Sequence, residues 1–280
     1  MSTPSITEAT TSAPNIQSLH PGFSIAGRRR RTLRFAAVTI ALALTAAALW
    51  VAMILVGETW YSPDEVLAVL SGDIVPGASF DVGEIRLPRA IIGLLAGMAF
   101  GMAGTTSQTM LRNQLASPDI IGLSTGSATG GLVVILLLGH SDMTQAAGSV
   151  PLGTLVGGLL TIALVYALSA RRGIGGQWMI LAGIAVGALL SAVNDYLITR
   201  ADIDDALMAR TWLFGSLQRS SWWSLAITGT VTVVCTILLL ADAWKLTALR
   251  LGEARARSLG VDVAKLRLKT LVLVALLTST

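Results

Sequence analysis

Charge is scarce in this sequence. Of its 280 residues only 13% are Asp, Glu, Lys or Arg, against roughly 25% in a soluble domain. Cysteine is almost absent: the single Cys235 excludes an internal disulfide and, inside an apolar run, reads as a small buried hydrophobe. The two histidines, His20 and His140, fall in a tail and a loop. There is no H-E-x-x-H and no Cys/His cluster, so metal catalysis and nucleophilic triads lack parts. None of the three lysines follows a glycine. A G-x-x-x-x-G-K-[ST] loop is therefore missing, and with it P-loop nucleotide binding. Energy for any uphill step must come from a partner or an ion gradient.

What is abundant is apolar. Hydrophobic residues make up 53% of the chain, glycine numbers 28 and the mean hydropathy is +0.71. This is a membrane composition, and scarce aromatics with plentiful glycine suit closely packed spanning helices. The net charge of +4 does not point to nucleic acid, because the positives cluster beside apolar runs as orientation signals do.

Residues 1–27 are Ser/Thr/Pro-rich without periodicity and read as a disordered tail; with the basic flank Arg28–Arg31 and Arg34 the tail region extends to residue 34. Residues 35–56 are uncharged over 22 positions, long for a signal peptide's apolar core and enough to span the bilayer. Further runs at about 90–111, 120–139, 146–170, 173–194 and 220–241 each exceed the length a spanning helix needs. A last run, TLVLVALLTST, stops after 11 residues, short of the roughly 20 that cross a bilayer. The expectation is an all-α polytopic membrane protein with six complete spans and part of a seventh, truncated at its C-terminus.

With the N-terminus placed in the cytoplasm, fifteen Lys and Arg fall on the cytoplasmic side and five outside, while acidic residues divide five to eleven. The positive-inside rule therefore predicts N-in. Residues 57–87 and 200–219 lie outside, the latter with Trp212 and Phe214 in a short interfacial helix.

Gly93, Gly97 and Gly101 recur every fourth residue, as do Gly122, Gly126 and Gly130, Gly153 with Gly157, and Gly183 with Gly187. Small residues at that spacing share a helix face and admit close backbone approach, so these glycines are predicted to pack helices. Polar positions within the runs are Gln108, Asn194 and Asp195. Each is a candidate for the transport pathway; an interhelical hydrogen bond for Gln108 and simple solvation for Asp195 are the alternatives.

The segment LGEARARSLGVDVAKLRLK (251–269) is the most charged stretch of the second half. Glu253 and Arg257 form an i,i+4 pair in the favourable order. Gly260 stands where a helix ends and Asp262 where the next is N-capped. Leu251, Leu259 and Val261 offer apolar knobs. Either the segment is an ordered docking surface for a partner, or it is a basic loop that only orients the chain.

IRLPRAIIGLLAGMAFGMAGTTSQTMLRNQLASPDIIGLSTGSATGG (85–131) resembles the signature region of the FecCD/BtuC family of binding-protein-dependent ABC importer permeases. ILAGIAVGALLSAVNDYL (180–197), WLFGSL (212–217) and LGEARARSLGV (251–261) resemble later family motifs in the right order. The wording is most similar to ferric-siderophore permeases of the catecholate type, and the likeness covers residues 35–280. Gln114 replaces the usual proline of RNPLA, and the family's later segments and helices are missing.

The resemblance implies a BtuC-like, type II ABC importer helix bundle in the cytoplasmic (inner) membrane. It would be no enzyme and would bind no cofactor itself, with ATP and Mg on a separate ATP-binding subunit. It implies docking of that subunit on residues 246–268 through Leu251, Gly252, Glu253, Arg257, Leu259 and Gly260. It also implies contact of Arg86 and Arg89 with a periplasmic or lipoprotein binding protein, a local pair of these arginines with Asp81 or Glu84 being the alternative. A second permease chain, as homodimer or heterodimer, completes the pathway for a ferric siderophore. Cobalamin or haem transport by the same fold, an ion-driven secondary transporter and a non-functional fragment are the rival readings.

Overall fold

The computed structural model describes residues 21–57, 59–137, 143–170, 176–217 and 220–279. Among these every regular element is helical. The chain divides at Met53/Ile54 into two units. The first holds most of α1 (Pro21–Leu55), a continuous helix that takes in Arg28–Arg31 and Arg34. The basic flank is thus the first turns of the spanning helix and not part of a tail; residues 1–20 lie outside the described residues.

In the second unit, α2 (Pro63–Leu70) opens on a capping box: Ser62 Oγ accepts from the Glu65 amide and Glu65 accepts from the Ser62 amide. A helical turn α3 (Ala78–Phe80) and a π-helical turn (Asp81–Arg86) run directly into α4 (Leu87–Leu111). Pro88 has no N–H for the carbonyl of residue 84, which favours the wider winding just before it. The segment 57–87, read as lying outside, thus holds three helical elements before α4.

Then come α5 (Leu123–Leu137), α6 (Met143–Ala170), α7 (Gly176–Arg200), α8 (Ile203–Leu213) and α9 (Trp222–Ala241). Two short helices follow, α10 (Ala243–Arg250) and α11 (Glu253–Ser258), and α12 (Val263–Ser279) closes the described chain. Among the described residues five helices are long and apolar enough to cross a membrane, those within Gly27–Leu55, Ala78–Leu111, Ser149–Ala170, Gly176–Arg200 and Trp222–Ala241.

The predicted span at 120–139 is a shorter apolar helix, and the reason is visible. After α4 ends at Arg112 in the left-handed conformation (φ 54°), the chain turns back along α7. Ile121 lies so close to Gly183 that a Cβ there would sit 2.6 Å from the Ile121 Cα. Gly122, at φ +80°, then launches α5 beside Gly183 and Gly187, well inside the length of α7. Non-helical backbone at that depth must satisfy its polar groups internally. It does so through turns: Ala116 N to Asn113 O, Ile121 N to Pro118 O, Leu115 N to Asn113 Oδ1 and Ile120 N to Ser117 Oγ.

α5 and α6 cross at glycine. A Cβ on Gly130 would lie 2.0 Å from the Gly153 carbonyl oxygen, and one on Gly157 would lie 2.3 Å from that of Gly126. Here van der Waals contact between backbones replaces the hydrophobic drive that lipid removes. Ten of the eleven residues of the last run, 270–279, belong to α12, whose Leu271, Leu273, Val274, Ala275 and Leu277 are buried against α4, α5, α6 and α9. The run that hydropathy ranks as an incomplete span is the interior strut of the unit.

Candidate functional site

The segment 243–262 is ordered by its own punctuation. α10 stops at Leu251, and Gly252 reverses the chain at φ +109°. α11 occupies Glu253–Ser258, and Gly260, at φ +82°, donates its N–H to the Arg257 carbonyl. That left-handed position strains any residue with a Cβ. The Asp262 carboxylate then accepts from the Lys265 amide at 3.1 Å, the N-cap of α12. Beside Lys265, and with that amide bond as the larger cause, the Asp262 carboxyl titrates below the usual carboxylate range.

Around this turn Leu251 and Leu259 are each 57% exposed, while Val261 is 4% exposed. The first two are available as knobs; Val261 belongs to the core, because the backbone leaving Gly260 turns inward into α12. Glu253 holds Arg257 at 3.3 Å on the surface and Arg267, in α12, at 2.5 Å. Arg267 is 2% exposed, a buried cation that positive-inside counting had placed among solvated charges. Asp242, at the α9–α10 junction, binds Lys245 at 2.6 Å and Lys269 at 2.5 Å. These hydrogen bonds, Lys245 first, hold its carboxyl below the ordinary range. Neither Asp242 nor Arg267 was singled out from sequence. The only local signal was an acid just past an apolar run.

At the opposite end of the second unit the arginines behave differently. Arg86 is buried, 6% exposed, and its guanidinium donates to the carbonyls of Ile54 (3.2 Å), Leu55 (3.4 Å) and Thr59 (2.7 Å). It meets the Asp81 carboxylate at 2.5 Å and lies 5.0 Å from the Tyr61 ring centre. The expected surface contact through Arg86 is corrected: the side chain belongs to the chain's own scaffold. The i→i+5 winding of the π turn brings Asp81 and Arg86 onto one face, a pairing that α-helical spacing would not suggest. Gly57 leaves the room, since a Cβ there would sit 2.5 Å from the guanidinium carbon. Arg89, half-buried, donates Nε–H to the Leu217 carbonyl at 3.2 Å, joining the start of α4 to the WLFGSL element. Trp212 turns inward, its ring edge against Gly131, whereas Phe214 is exposed.

The predicted packing glycines separate into two groups. Gly126 faces Thr161 of α6, and Gly93 would bring a Cβ to ordinary contact, 3.4 Å, with Leu217. Gly97 and Gly101 have open space within 4 Å, so among the described residues they pack no helix. Gly122 is a turn residue at the head of α5, because its positive φ lies outside helical geometry. Gln108 is exposed on α4; it is the neighbouring Ser107 that is buried, with its hydroxyl unpartnered among the described residues. Asn194 is buried, with Oδ1 unpartnered among those residues, and Asp195 is exposed. Among the described residues no three His, Cys, Asp or Glu gather as a metal site.

A bundle of apolar helices with close glycine crossings, a re-entrant turn and an ordered charged segment defines a polytopic membrane protein. The FecCD transport family matches residues 28–280, and the chain belongs to that family. It is 34% identical over 223 residues to the ferric enterobactin transport system permease protein FepG of Escherichia coli, covering 80% of this chain and 66% of FepG. It is 32% identical over 236 residues to the achromobactin transport system permease protein CbrC of Dickeya dadantii, covering 84% of this chain and 66% of CbrC. The chain thus spans just under two thirds of the length of these relatives. Matches at 33% identity also include a cobalamin import permease of Halobacterium salinarum and a hemin transport permease of Yersinia pestis. A solved structure described as a metal-chelate type ABC transporter in an inward-facing conformation superposes with a TM-score of 0.73 at 27% identity. It is matched over 87% of this chain and 74% of its own.

Proposed function

We propose that this chain is the permease subunit of an ABC importer that carries ferric siderophores across the cytoplasmic membrane. A separate subunit hydrolyses ATP with Mg, and no covalent chemistry occurs in this chain. The observation that carries the reading is the α10–α11 segment. It is braced from within by Asp242 and Glu253 and presents Leu251 and Leu259 to solvent at 57% exposure. A loop that merely set orientation would need its charges but neither the two positive-φ glycines nor the N-cap.

In this reading α10 and α11 face the cytoplasm with the N-terminus, in line with the fifteen-to-five division of Lys and Arg. Arg89 lies on the outer side, where a binding protein would deliver its load; a second permease chain completes the pathway. Gln108 and Asp195, exposed on α4 and α7, are the polar groups available to that pathway. The two relatives described above carry siderophore names, which supports a ferric siderophore as cargo.

A cobalamin or haem permease is the second reading, favoured by the matches to those transporters. Uptake of labelled ferric enterobactin, cobalamin and hemin, assayed with the ATPase subunit and binding protein present, separates the readings. Iron-siderophore uptake that stops without ATPase is expected. Cobalamin uptake alone would replace the cargo, and uptake that persists without the ATPase would replace the mechanism with an ion-driven one.

A further inference from the structure

We propose that the arginines at the foot of α1 form a collar that binds anionic phospholipid headgroups. The inference rests on α1 as a spanning helix, and not on the cargo or the ATPase. Arg28, Arg29, Arg30, Arg31 and Arg34 fall within seven residues, and all five are exposed. No Asp or Glu occurs between residues 9 and 57. Among the described residues none of the five meets a carboxylate. The cations that follow α9 are treated differently: Lys245, Arg257, Lys265, Arg267 and Lys269 each have a carboxylate partner. Like charges three and four residues apart on a helix repel, as Arg28 with Arg31 and Arg30 with Arg34 do here. The chain places no anion beside them, so the counter-charge comes from outside it.

The helix fixes the depth of the collar. α1 runs without a break through the arginines to Leu55. Its uncharged part, residues 35–55, is 21 residues long. At the helical rise that is about 31 Å, the hydrocarbon thickness of a bilayer. Arg34 then stands at the hydrocarbon boundary, and Arg31 to Arg28 lie about 6–10 Å beyond it, within a long side chain's reach of the phosphate layer. Side chains lean toward the N-terminus of their helix, so that of Arg34 leaves the hydrocarbon rather than entering it.

The display is all-round. At about 100° per residue the four consecutive arginines point to four sides of the helix. A docked protein would touch one side, whereas a ring of headgroups meets them all. The guanidinium fork matches a pair of phosphate oxygens, and dense positive charge beside a spanning helix attracts anionic lipid. An orientation signal acts during insertion and asks only for charge. Register at phosphate depth, with no partner inside the chain, gives these arginines a ligand in the inserted protein.

The test uses the purified full chain in a neutral detergent, titrated with radiolabelled phosphatidylglycerol or phosphatidylcholine. Bound lipid is counted after capture of the protein. The wild type should hold phosphatidylglycerol at least about tenfold more tightly, since each arginine near an anionic surface contributes roughly fivefold. Raising salt from about 0.05 to 0.5 M should weaken that preference as the Debye length shortens. Arg28→Gln, Arg29→Gln, Arg30→Gln and Arg31→Gln together should bring the two lipids within about twofold, while Lys at the same four positions should keep most of the preference. Detergent makes the result independent of how a variant inserts. If the quadruple Gln variant does not accumulate, Arg29→Gln with Arg31→Gln keeps three arginines and should still lose about fivefold or more. Equal binding of the two lipids by the wild type would overturn the proposal. So would a Gln variant that keeps its preference, which would place the lipid elsewhere. Displacement of the lipid by glycerol phosphate at matched concentration would make this a site for free phosphate and overturn it too. The same preference in a chain that imports neither ferric enterobactin, cobalamin nor hemin would support the collar and remove the importer reading alone.

Discussion

The guanidinium of Arg86 and the carboxylate of Asp81 meet at 2.5 Å across one π-helical turn, within the segment that the charge count places outside. Arg86 also gathers three backbone carbonyls, so it organises the segment that leads into α4.

Removing Asp81 strands a buried cation. Asp81→Asn should destabilise the protein by about 3 kcal/mol. Arg86→Lys should be no gentler than Asp81→Asn, because an ammonium cannot reproduce the planar fork that reaches several acceptors at once. Thermal unfolding of both variants in detergent checks this; a silent Arg86→Lys would show that the fork is not needed.

Gly130 and Gly101 share a motif spacing but not a fate. Gly130→Val drives a branched side chain into the Gly153 carbonyl and should cost about 3 kcal/mol or more. Gly101, with open space around its Cβ position, should accept Ala with a gain of up to about 1 kcal/mol from helix propensity. Paired melting curves decide, and equal losses at both sites would contradict the assigned crossing.

Asp242 carries a pH signature. Its two lysine partners lower its pKa in the folded protein relative to the ordinary value. Its contribution is therefore complete above the unfolded carboxylate pKa of about 3.9 and is lost as pH falls through the depressed folded value. The stability gap between wild type and Asp242→Asn should stay constant from about pH 5 to 8 and close only in stronger acid. A gap that closed near neutrality would point to a different titrating group.

Gly260 tests the docking turn without touching its charges. At φ +82° a β-branched residue meets a penalty of at least about 1–2 kcal/mol. Gly260→Val should therefore insert normally but show reduced ATP-coupled uptake. Membrane fractionation and transport assays in parallel read the two effects; full transport would remove the turn from the coupling path.

Much of this was legible in the residues themselves. The apolar runs marked the long spanning helices, and Gly260 and Asp262 marked the end of α11 and the cap of α12, because caps and spans are written in contiguous residues. The helix at 123–137 was shorter than its apolar run, because part of that run is turn buried against α7. Hydropathy cannot see which neighbour excludes lipid.

The same limit separates the remaining features. Sequence alone determined that the chain is helical, membrane-embedded and punctuated before α12. Only the tertiary structure turned Arg86 and Arg267 inward, left Gly97 and Gly101 uncovered while Gly130 was pressed against a backbone, and placed α12 at the centre. Lipid tails and leucine side chains are equally apolar, so a run of hydrophobic residues reports that a helix leaves water. Which helix it then meets depends on glycines and charges far away in the chain, and those pairings exist only once the bundle has closed.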